Sequence, residues 1–150
     1  GGEQLLENTI LAPAAVLVLW SLIMLGWMAL TRFPAIAKSG MDLKSFPPGG
    51  RGQDLDAVLP PSVNWKSHNY TNLMEQPTIF YATVFVLALS GAGGGMNATL
   101  AWAYTGIRIV HSIWQATVNK VMPVRFGLFF LSTGCLLVLA INAVRITLGV

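Results

Sequence analysis

The chain has 150 residues, of which 54% are hydrophobic and only 10% charged, with a formal net charge of +3. A soluble domain carries about a quarter charged residues, so this composition excludes an ordinary water-soluble fold and points to an all-α integral membrane protein. The single cysteine, Cys135, excludes an internal disulfide and reads as packing inside an apolar run.

Residues 10–30 contain no charge over 21 positions, long enough to cross the hydrocarbon core. Glu3 and Glu7, rather than basic residues, precede this run, which reads as a retained first span over residues 9–31 and not as a cleaved signal. Trp20 and Trp27 within it are packing or lipid-facing residues. Residues 33–67 form a long polar stretch with Pro47-Pro48 and Pro60-Pro61, breakers that argue against a continuous helix. A stretch of this length either is disordered or covers a site.

A second span is expected over residues 68–90. It takes His68, Asn72 and Glu75, spaced by four and three on one face, into a helix that Pro77 should kink just after this polar turn. The glycine-rich residues 91–95 make a tight connection. They follow no strand and match neither a dinucleotide fingerprint nor a P-loop.

The third span, residues 97–118, carries Tyr104, Arg108, His111 and Gln115 at steps of four, three and four. At about 100° per residue these fall within an arc of roughly 60°. An arginine at the centre of a membrane helix costs about 3 kcal/mol on insertion scales, so the stripe must face a partner or a polar cavity. The fourth span covers residues 125–146, with no charge from 126 to 144.

The four spans make a helical bundle in a single domain. Arg32, Lys38, Lys44, Arg51 and Lys66 lie between the first two spans, and Lys120 and Arg125 between the last two. By the positive-inside rule these loops face the cytoplasm and both termini face outward. The same distribution argues against nucleic acid as a partner.

Spans two and three, joined by a tight turn, should be antiparallel neighbours with their polar stripes at comparable depth. Two readings follow. Glu75 and Arg108 neutralise each other in a structural pair, or the stripes line a polar cleft that takes a small anion. Two histidines on different helices with no cysteine pair give no metal site. No serine stands in a G-x-S-x-G context. A small transporter would need a carboxylate deep in a span, and the first span has none.

Asn72-Leu73-Met74-Glu75-Gln76-Pro77 resembles the N-x-x-E…P signature of the MAPEG family, the membrane-associated proteins of eicosanoid and glutathione metabolism. Arg108-Ile109-Val110-His111 is similar to the family's R-x-x-H, and Pro123-Val124-Arg125 to its P-x-R. The three motifs occur in order on four spans covering almost the whole chain, and the pattern is that of a divergent, bacterial-type member.

The resemblance implies a homotrimer with glutathione bound between subunits as co-substrate. Asn72 and Glu75 would contact the tripeptide, Arg108 and His111 would support it, and Arg32 would reach it from the neighbouring subunit. Arg125 would be the catalytic residue. Its guanidinium would stabilise a thiolate, drawing the thiol pKa down from about 8.5, for attack on a lipophilic electrophile or hydroperoxide arriving from the bilayer.

His68 and Gln115 occupy positions where glutathione-binding members carry arginine and some members tyrosine. Both are candidate binding residues here. Phe126 follows the P-x-R arginine. These departures keep a second reading open: a non-enzymatic member that binds lipid or joins a membrane complex.

Overall fold

In the computed structural model, residues 9–39, 59–119 and 124–150 are described. They form helices with no strand among the described residues. The helices are α1 (Leu11–Ser39), α2 (Pro61–Leu73), α3 (Gln76–Leu89), α4 (Gly95–Thr117) and α5 (Phe126–Leu148). Lys44, Arg51, Lys120 and Pro123 lie outside the described residues, as does most of the stretch expected to cover a site or be disordered.

α1 buries Ala14, Leu17, Ser21 and Met24 at helical spacing, with Ile10 buried just ahead of it, and exposes Val18, Leu19, Leu22 and Ile23 on the other side. It runs on through Pro34. The proline deprives the Leu30 carbonyl of its helical donor, while the Thr31 hydroxyl donates to the Trp27 and Met28 carbonyls one turn earlier. The helix therefore extends past residue 31 into part of the stretch read from sequence as broken. Breaker residues at 47–48 and 60–61 say nothing about the helix end upstream of them.

α2 and α3 are the two halves of one broken rod. Pro77 cannot donate to the Leu73 carbonyl, and the chain leaves helical geometry at Glu75, with φ −90° and ψ −95°. The break falls where the proline predicts it. It also redirects the rod, since α2 packs on α1 and α4 whereas α3 packs mainly on α5 and α1.

α3 and α4 are consequently not the close-packed neighbours that the tight turn suggested. They meet through long side chains. The Phe80 and Tyr104 rings stack at 4.3 Å between centroids, and the Tyr104 hydroxyl donates to Gln76 Oε1 at 3.0 Å. Gly91, with φ +77°, ends α3 in a left-handed turn that a side chain would strain.

α4 sits at the centre, against α5, α2 and α1. The Thr105 hydroxyl donates to the Pro13 carbonyl at 3.0 Å, and Trp20 Nε1 donates to the Ser112 hydroxyl at 3.0 Å. These bonds tie α1 to α4 and make Trp20 a packing residue. The apolar core between the helices includes Leu17, Phe80, Val84, Leu87, Ala101 and Leu139.

Among the described residues, two helices are long and apolar enough to cross a bilayer, α1 over Leu11–Lys38 and α5 over Phe126–Leu148. Only 22% of the most apolar window of each is buried within the chain, unlike the core helix of a soluble protein. The broken α2–α3 rod and the polar-striped α4 do not meet the same standard.

Candidate functional site

α4 presents its polar stripe inward: Tyr104, Arg108, His111 and Gln115 are all buried. α2 supplies the facing residue. Asn72 accepts from Arg108 Nη2 through Oδ1 at 3.3 Å and donates through Nδ2 to Gln115 Oε1 at 3.0 Å. One carboxamide thus links Arg108 to Gln115 within the stripe and fixes its own orientation, because its oxygen must face the guanidinium.

Arg108 is only 1% exposed, yet its Nε and Nη1 have no hydrogen-bond partner among the described residues. No carboxylate lies within ion-pair distance of it among the described residues. Glu75 is exposed at the helix break and makes no direct ion pair with Arg108, although its charge still acts on the guanidinium through space. The break accounts for this, because the shared helical face ends where the helix does.

Next to this bond chain is a cavity of about 180 Å³ lined by Asn72, His111, Gln115, Arg125, Phe126 and Phe129. Arg125, half-buried just ahead of α5, donates through Nη1 to Asn119 Oδ1. Asn119 itself holds φ +55°, a conformation asparagine tolerates better than most residues. The link anchors one nitrogen of the guanidinium while the side chain lines the cavity. The Phe126 and Phe129 side chains line an apolar part of it.

The sequence-derived candidates therefore divide. Asn72, His111, Gln115 and Arg125 meet at the cavity, and Arg108 is one hydrogen bond away. Arg32 is elsewhere, buried between α1 and α2 with Nη1 donating to the Ser67 hydroxyl at 2.8 Å. His68 and Glu75 are exposed and line no part of the cavity.

Sequence reasoning missed Phe129 and Asn119. Phe129 repeats Phe126 one helical turn later, a signal submerged in a uniformly apolar run. It also missed a second polar link, in which Gln76 Nε2 donates to the Thr133 hydroxyl at 2.9 Å and so joins Tyr104 to α5. No cluster of three or more histidine, cysteine or acidic residues suited to a metal occurs among the described residues.

A fixed guanidinium, an imidazole and two carboxamides beside aromatic rings can bind a small anion and stabilise negative charge as it forms. The cavity is smaller than the roughly 300–1,000 Å³ of most ligand pockets. It is too small to hold a whole tripeptide.

The fold and site define a helical membrane protein with a polar, arginine-bearing cavity set among its helices. The MAPEG family model matches residues 10–145, nearly the whole chain, and the protein belongs to that family. No curated protein and no solved structure matches the chain. Membership makes the protein membrane-bound and suggests a place in glutathione-related or lipid metabolism.

Proposed function

We propose that the protein crosses the bilayer four times, with its basic loops cytoplasmic, and is a glutathione-dependent transferase or peroxidase acting on lipophilic electrophiles. The observation that carries this reading is the convergence of Arg125, His111, Gln115 and Asn72 on one cavity beside the incompletely bonded Arg108. The thiol end of glutathione enters the cavity. Its remainder extends beyond the 180 Å³ that one chain encloses, toward a neighbouring copy in a trimer.

Arg125 faces the sulfur, and the thiol proton leaves to water. The thiolate then attacks an electrophilic carbon, forming a C–S bond as the leaving group departs with its electron pair. With a hydroperoxide it attacks oxygen instead, and the O–O bond breaks to give an alcohol and a sulfenic acid. A second thiol converts the sulfenic acid to a disulfide and water. Asn72 and Gln115 orient the amide next to the thiol, and Arg108 holds Asn72 in place from behind. Arg32, His68 and Glu75 do not line this cavity, and in this reading any contact they make with glutathione is at the boundary with a neighbouring copy.

The test is thiolate ultraviolet absorbance on adding glutathione to the purified protein, with conjugation of a chlorodinitrobenzene acceptor measured in parallel. Both signals are expected in the native chain. Arg125→Ala should lower turnover by about 100-fold or more, the scale seen when one preorganised charge-stabilising donor is removed. Native protein without either signal, or unchanged turnover in the variant, overturns the assignment.

The exposed His68 and Glu75 favour a second reading, in which the same fold binds lipid or a membrane complex without thiol chemistry. Calorimetric titration with glutathione separates the two, since only the first reading predicts saturable heat.

A further inference from the structure

A second cavity, of about 660 Å³, lies between the last turns of α1 and the first of α2. Leu30, Pro34, Ala35 and Val63 give it an apolar floor, and Lys38 and Lys66 line it as well. We propose that this groove binds an anionic phospholipid of the adjacent leaflet, with its acyl chain along the floor and its phosphate between the two lysines.

Charge complementarity supports this occupant. Among the described residues, no acidic side chain lines the groove. Lys66 Nζ donates to the Ser62 and Ala116 carbonyls at 3.1 and 3.3 Å and stands 5.1 Å from the Trp27 ring centroid. Its position is therefore fixed on two helices and one aromatic face. An ammonium has three donors, so one remains for a phosphate oxygen. Lys38, in the last turn of α1, is exposed. The opening turn of α2, which includes Ser62, has neither an acidic residue nor a side-chain cap, so the positive end of its dipole adds to the same field.

Depth points the same way. From Leu11 to Leu30 the helix rises about 28 Å, close to the hydrocarbon thickness of roughly 30 Å. The groove thus opens where acyl chains give way to headgroups. Lys38 lies two turns further along, with an apolar stem that can reach back.

The experiment is native mass spectrometry of the full chain in detergent, offered equal amounts of phosphatidylglycerol and phosphatidylcholine with the same acyl chains. Native protein should retain phosphatidylglycerol preferentially. Lys38→Ala should reduce that preference about fivefold, as expected for one basic residue near an anionic surface. Lys38→Arg should keep it and Lys38→Glu should abolish it. Arg145→Ala, at the opposite end of the bundle, should leave it unchanged.

Equal retention of both lipids overturns the proposal, as does an equal loss in Arg145→Ala, which would mean charge attraction without a site. Retention of neither lipid also overturns it, because the groove is then filled by a second copy or another part of the chain. Displacement of the bound lipid by glycerol phosphate alone would make this a free-phosphate site and would likewise overturn it.

Discussion

The two ends of α4 handle buried polarity in opposite ways. At its amino end, Asn142 Nδ2 donates to Asn97 Oδ1 at 2.8 Å, Asn97 Nδ2 donates to the Ala92 carbonyl at 3.0 Å, and the Ile10 amide donates to the Gly93 carbonyl at 2.8 Å. These bonds lace three helices and a turn together, each donor meeting an acceptor. Toward the carboxyl end, Arg108 keeps one bond to Asn72 and two buried nitrogens without partners. A buried guanidinium left incomplete is costly. The first end closes its own hydrogen bonds; in the function proposed above, the second is the end that meets a ligand.

Arg108→Met tests this contrast hardest. The replacement relieves the desolvation of an incompletely bonded charge but leaves Asn72 Oδ1 without its donor, so the melting temperature in detergent should stay close to native. Glutathione affinity should fall by about tenfold as Asn72 loses the guanidinium that orients it. A variant that unfolds instead would make Arg108 a structural residue and erase the difference between the two ends.

Asn72→Ala removes a donor and an acceptor together. It should destabilise the protein by about 1–3 kcal/mol, the cost of leaving Arg108 Nη2 and Gln115 Oε1 unsatisfied, and should also weaken thiol binding. Thermal unfolding and calorimetry on the same sample check both.

At the other end, Asn142→Ala should cost about 0.6 kcal/mol, typical for a hydrogen bond between membrane helices, with no change in ligand affinity. A loss of affinity there would show that the two ends are coupled. The smallest effect belongs to Glu75→Gln. This exposed side chain makes no pair with Arg108, so stability should stay within about 0.5 kcal/mol of native.

Helical periodicity read the interior of α4 correctly, because Tyr104, Arg108, His111 and Gln115 are all buried on one face. The apolar runs marked α1 and α5, and the interruption ahead of Pro77 followed from its missing amide hydrogen. Periodicity failed where it was carried through that interruption, since Glu75 leaves the shared face once the helix stops. It failed differently at His68, where spacing assigns a face but not whether a neighbouring helix covers that turn.

Arg32 illustrates a third gap. A charge at the end of an apolar run says nothing about which side chain within reach will accept from it, and here that side chain is Ser67. The looseness between α3 and α4 was likewise hidden, because a short connection fixes the distance between helix ends and not the angle between helix axes.

The interruption at residues 74–75 has a consequence for the surrounding lipid. The 14 residues of α3 make a rod of about 21 Å, some 9 Å short of the hydrocarbon slab. In the four-span arrangement proposed above, the bilayer beside it would thin, or water would descend to the turn, and either adjustment would lower the polar boundary toward Asn72. A fat-soluble molecule diffusing in the leaflet would then meet the hydrated side chains sideways, without ever leaving the oily phase.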